Sequence, residues 1–221
     1  MHYLSLALYA EGPTDFRFLS PLLLRLCRDL CLRHQRQLVD VDEEVKELAD
    51  AKGVKDAPRA ERIAAAGKAA AGAWNILFVH SDGEGDPARV LRERIQPGLS
   101  ALRAEALPRT ECVPIVPIRE TEAWTLADGD ALRQVFGTTL SDADMALPTA
   151  ARAVEGITDP KAVLDAAFRA TQPNGRRARA GPAATLHLLG ERIDLRRLRE
   201  IPSFRTLESD LLDALRRLRI C

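Results

Sequence analysis

Tyr3-Leu4-Ser5-Leu6-Ala7-Leu8-Tyr9-Ala10-Glu11-Gly12-Pro13-Thr14-Asp15 opens the chain with an apolar run that halts at a Glu-Gly-Pro turn. A short apolar run bounded by turn residues reads as a buried strand, and Thr14 is placed to cap a helix behind it. From Asp15 to about Arg36, Phe16, Leu19, Leu22, Leu23, Leu26 and Leu30 recur at helical spacing. Strand, turn and helix therefore form one unit, and the unit recurs. Trp74 to His80 is a second apolar strand that ends in Ser81-Asp82-Gly83-Glu84-Gly85-Asp86, with Pro87 at a helix start. A helix from Ala88 to about Leu107, bent at Pro97, leads to a third strand from Cys112 to Ile118. That strand ends in Arg119-Glu120-Thr121-Glu122-Ala123-Trp124.

Between these units, Leu38, Val39 and Val41 suggest an edge strand, and Ala60 to Ala73 an alanine-rich helix. Beyond Asp128 the chain reads as helical, with a break from Gln172 to Pro182 and a closing amphipathic helix from about Phe204 to Leu218. Strands alternating with helices imply an α/β fold, a parallel sheet covered on both faces. The expected organisation is an α/β domain over 1–150 and a helical C-terminal extension over 151–221 packed on it. Such sheets place ligands beyond the carboxyl ends of their strands, so the three acidic turns converge on one edge. Carboxylates gathered there repel one another, and hard divalent cations such as Mg²⁺ resolve the repulsion.

Composition sets bounds on this reading. With 221 residues, 46% hydrophobic and 29% charged, the chain is long enough to bury an ordinary core. No apolar run approaches the roughly 20 residues that span a bilayer, and the start lacks a basic signal-peptide region, so a cytoplasmic protein without a membrane partner is expected. Cys27, Cys31, Cys112 and Cys221 are too few and too irregular for a disulfide framework. Cys27, Cys31 and His34 share a helical face, but without a fourth ligand they read as core thiols rather than a zinc site. Net charge is zero, yet residues from Arg152 onward carry 14 basic against 9 acidic side chains. Arg176, Arg177 and Arg179 fall in the Gly- and Pro-flanked break, where they can grip phosphates or simply face solvent.

The turn at Glu11-Gly12-Pro13-Thr14-Asp15, followed by His80-Ser81-Asp82-Gly83-Glu84-Gly85, resembles the Toprim domain of topoisomerases, primases and OLD-family nucleases. The stretch from Arg119 to Asp128 more narrowly resembles the Glu-x-Glu-Ala motif of the DUF4276 proteins, as does the segment from Ile193 to Phe204. The resemblance implies Glu11 as a metal ligand or general base, and Asp82 and Glu84 as Mg²⁺ or Mn²⁺ ligands. Asp86 joins this acidic set, and Glu120 and Glu122 form an added acidic pair. It also implies that Lys161 polarises a phosphate. One departure stands out: His80 sits where many Toprim domains carry an aspartate, and imidazole favours Mn²⁺ over Mg²⁺.

Individually these residues have plainer readings. Glu11 can be an ordinary turn residue, and Asp82, Glu84 and Asp86 can cap a helix. Asp15 reads as a helix-start residue, Glu120 and Glu122 can pair with arginines, Lys161 can be merely exposed, and Trp124 reads as core. The only tyrosines, Tyr3 and Tyr9, lie on the first strand, which disfavours a topoisomerase acting alone. No Walker loop is present, and little length remains for primase template modules. The resemblance then implies a metal-dependent nuclease acting on DNA or RNA, beside a separately encoded ATPase in bacterial defence against phage or plasmids. Self-association stays open. The competing readings are a catalytically weak regulatory subunit of that ATPase, and a phosphatase of small substrates.

Overall fold

The computed structural model describes residues 2–36 and 38–221. A four-stranded, all-parallel sheet forms its centre, with β1 (His2–Tyr9), β2 (Val39–Glu47), β3 (Ile76–His80) and β4 (Glu111–Ile115) in the order β2-β1-β3-β4. The second strand does lie at an edge, and it extends to Glu47. Side chains of β1 and β3 alternate between two cores. Leu4, Leu6, Leu8, Ile76 and Phe78 face one side, while Ala7, Tyr9, Leu77 and Val79 face the other. Strands buried on both faces read as continuous apolar runs, which is why they were legible without alternation.

The first core packs α1 (Pro13–His34), whose Leu19, Leu22, Leu23 and Leu26 are completely buried. Cys27 and Cys31 belong to this core as free thiols, and His34 is exposed at the helix end. The second core packs α2 (Arg59–Ala69) and α4 (Gln96–Ala104) through Ile63, Ala66, Leu99 and Leu102. Between α3 (Pro87–Val90) and α4 the expected bend at Pro97 takes the form of a π-helical turn over Leu91–Ile95. Pro97 has no N–H to continue the α-helical ladder, so the turn before it widens.

Beyond β4 the chain is helical: α5 (Glu122–Thr125), α6 (Gly129–Phe136), α7 (Pro160–Ala170), α8 (Gly175–Ala180), α9 (Leu186–Arg192), α10 (Leu195–Leu198) and α11 (Pro202–Arg217). The expected break at Gln172 to Pro182 contains the short α8, whose residues are exposed. Helices α9 and α11 extend the first core rather than building their own. Gly190 in α9 lies so close to α1 that an added Cβ would sit 2.3 Å from the Phe18 carbonyl oxygen. Arg25 of α1 donates to the carbonyls of Gly190 and Ile193, each at 2.8 Å, and clamps the same crossing. No helix among the described residues is long and apolar enough to cross a membrane.

Candidate metal centre

The connection leaving β1 leads to the edge strand β2, whereas that leaving β3 leads to β4 on the opposite side. The sheet's switch point therefore lies between β1 and β3, where open α/β sheets form a crevice at their carboxyl ends. Glu11 and Asp15 follow β1 there, and His80 to Asp82 close β3.

Asp15 is held from two sides. Rather than Thr14 capping α1, Gly12 is the N-cap, and its N–H donates to Asp15 Oδ2 at 2.9 Å. The Thr121 hydroxyl donates to Asp15 Oδ1 at 3.2 Å. His80, the last residue of β3, is 0% exposed, with Nδ1 3.6 Å from Asp15 Oδ2 and Nε2 3.4 Å from Asp82 Oδ1. Asp15, His80 and Asp82 each present one ligand atom, and these atoms all lie within 4.8 Å of one another. Asp15 thus belongs to the cluster besides starting the helix.

Polar satisfaction points the same way. Both His80 nitrogens and Asp82 Oδ1 are buried without a hydrogen-bond partner. Buried polar atoms in folded proteins are almost always paired, and a cation at this cluster would engage one His80 nitrogen together with the Asp15 and Asp82 carboxylates. Imidazole with two carboxylates is a donor set for Mn²⁺, Zn²⁺, Fe²⁺ or Mg²⁺, so the residues fit a divalent cation without naming it.

Around this triad stand further charges. Glu11 accepts a hydrogen bond from the Ser81 hydroxyl and pairs with Arg59, whose Nε is 3.8 Å away. Arg59 also donates to the His80 carbonyl at 2.6 Å and lies over the Tyr9 ring at 5.0 Å. It ties the α2 start to the ends of β1 and β3. Glu120 and Glu122 share Lys161, whose Nζ is 3.1 Å from Glu120 Oε1 and 3.9 Å from Glu122 Oε1. Burial pushes the Glu122 carboxyl above the usual range against the opposing pull of Lys161, and Asp15 and Glu120 add to the rise. Desolvation draws the Lys161 ammonium down, but Glu122, Glu120 and Asp82 together hold it above its ordinary value.

Other expected residues are placed elsewhere. Glu84 sits at φ 51° in the turn after β3, and its carboxylate pairs with Arg94 at 2.7 Å and Arg89 at 3.1 Å, turned to solvent rather than toward His80. Asp86 caps α3 by accepting from the Arg89 N–H at 3.0 Å. Arg177 donates to the Phe136 carbonyl and to the Thr171 hydroxyl and stacks on Phe168, so it fastens α8 to the fold. Arg176 and Arg179 are exposed. Trp124 is core, with its indole N–H donating to Ser203 Oγ at 3.0 Å.

Sequence reasoning passed over Asp15 and Arg59 as site residues. Asp15 had a readable signal, a second acid one helical turn after Glu11. Arg59 had none, because its role depends on α2 crossing the sheet to reach β1 and β3. Comparison with known proteins adds one finding: residues 10–212 match the model of the family described as a domain of unknown function, DUF4276. No curated protein and no solved structure matches the chain. Since the match runs from the turn after β1 into α11 and takes in every side chain of the cluster, the chain belongs to the DUF4276 family.

Proposed function

We propose that the chain is a metal-dependent phosphodiester hydrolase, a nuclease built on a Toprim-like sheet. The observation that carries this reading is the fully buried, unpartnered His80 imidazole set between Asp15 and Asp82 at the switch point. Asp15, His80 and Asp82 are the residues that would hold the cation. When bound there, a divalent ion supplies charge to polarise a phosphoryl oxygen and acidify a water.

The chain's own groups divide the remaining work. Glu11, beside the triad and restrained by Ser81 and Arg59, is positioned to take a proton from attacking water. Arg59 and Lys161 bring positive charge to a site otherwise crowded with carboxylates, which a polyanionic substrate requires. Arg176 and Arg179 offer sequence-independent phosphate contacts on an exposed helix. By the same resemblance the chain acts in the cytoplasm beside a separately encoded ATPase in anti-phage or anti-plasmid defence.

The test is incubation with supercoiled plasmid, single-stranded DNA and RNA in Mg²⁺ or Mn²⁺, beside Glu11→Gln and Asp82→Asn. Cleavage abolished in both variants supports the reading. A folded, metal-binding protein that cleaves none of these polymers overturns it and favours the regulatory-subunit role; turnover of phosphomonoesters alone favours the phosphatase.

A further inference from the structure

The acidic edge contains two groups, and they are not equivalent. Asp15, His80 and Asp82 bring three ligand atoms within 4.8 Å of one another. Glu120 and Glu122 instead close on the Lys161 ammonium, at 3.1 and 3.9 Å. The two groups adjoin, since Thr121, between Glu120 and Glu122, donates its hydroxyl to Asp15 Oδ1 at 3.2 Å.

Resting on the hydrolase reading above, we propose that Lys161 is a built-in second cation. Its ammonium fills the position that a second divalent ion would take, so each chain binds one metal ion. Two-ion phosphodiester sites set two cations about 3.5–4 Å apart, one toward the attacking and one toward the leaving oxygen. Here a side chain supplies one of the two charges.

Three features support the assignment. Lys161 occupies the first turn of α7, where the helix macrodipole disfavours a cation, and the Glu120–Glu122 pair offsets that disadvantage. The turn that delivers it is fixed, because Asp159 accepts from the Ala162 N–H at 2.9 Å and Pro160 is buried. Finally, Glu120 Oε2 is buried without a partner, although Oε1 of the same carboxylate is paired. That free oxygen is a ligand position which the ammonium does not use. Glu122 is 7% exposed and Glu120 28%, so one carboxylate of the pair is buried and the other is open to an ion once the lysine is removed.

The experiment is a Mn²⁺ titration of the full chain, read by calorimetry and by the electron paramagnetic resonance of free Mn²⁺. It compares the unsubstituted protein with Lys161→Ala, Lys161→Arg and the double variant Lys161→Ala/Glu120→Gln, with thermal unfolding confirming that each is folded. The expected stoichiometry is one ion in the unsubstituted chain and in Lys161→Arg, two in Lys161→Ala, and one again in the double variant. Two ions in the unsubstituted protein, or one in folded Lys161→Ala, overturn the proposal and leave the metal site standing. Absence of any binding overturns the hydrolase reading as well, so the two failures are distinguishable.

Discussion

His80 is the side chain on which the site turns. Its ring is completely buried, and its two nitrogens face carboxylates at distances too long for good hydrogen bonds. Replacing it removes one donor of the candidate site and leaves Asp15 and Asp82 to repel each other. His80→Ala is expected to weaken Mn²⁺ binding by about tenfold or more, and Asp15→Asn to do the same, as measured by calorimetry. Glu84→Gln serves as the contrast: with its carboxylate committed to Arg89 and Arg94, binding should stay within about twofold of the unsubstituted chain.

Asp50 gives a pH dependence with a definite sign. Arg62 forms two hydrogen bonds to its carboxylate, at 2.9 and 2.7 Å, and the Tyr9 hydroxyl adds a third at 2.6 Å. Arg62, against the opposing cost of burial and with help from Tyr9, holds Asp50 below the usual carboxylate range. A depressed acid stabilises the fold above its unfolded value, near pH 4, and that contribution disappears as pH falls through the folded value. Asp50→Asn should therefore be about 1 kcal/mol less stable at neutral pH, with the difference closing below about pH 3, as read by urea unfolding across the range.

At the scale of elements, the turn after β3 is stitched to the segment after β4. Gly83 N–H donates to the Arg119 carbonyl and Gly85 N–H to the Ile118 carbonyl, both at 2.8 Å. A Cβ on Gly83 would lie 2.0 Å from the Pro117 carbonyl oxygen and 2.6 Å from that of Ile118. These backbone atoms cannot yield as a side-chain tip would. Gly83→Ala is expected to cost about 2–3 kcal/mol in urea unfolding, and to weaken metal binding because Asp82 must shift with the turn. Gly190→Ala, by wedging α9 from α1, should destabilise by a similar amount without changing metal affinity, which separates packing from ligation.

Across the whole molecule, one core runs from β1 and α1 to α11. Phe204, Leu207, Leu211 and Leu215 of α11 belong to the same buried cluster as Leu6, Phe78 and Ile115 of the sheet. Trp124 and Phe204 meet edge to face at 5.4 Å. Removing residues 202–221 would strip this face of the sheet, and the truncated chain should lose cooperative thermal unfolding, monitored by circular dichroism. The same continuity brings α7, and with it Lys161, against the residues that follow β4.

Local pattern alone determined the strands, the long first helix and the gathering of acids at one sheet edge. Each apolar run carries that information within a few residues of the acid that ends it, Glu11, Asp82 or Glu120, and parallel strands must put their carboxyl ends together. Which of those acids share a point was decided by the tertiary fold. Asp15 and His80 join where the start of α1 meets the end of β3, Glu84 is turned outward by a left-handed backbone, and Lys161 arrives from a helix 41 residues beyond Glu120. Ligand sets depend on side-chain direction and on contacts distant in sequence, and neither has a period that a linear pattern can display.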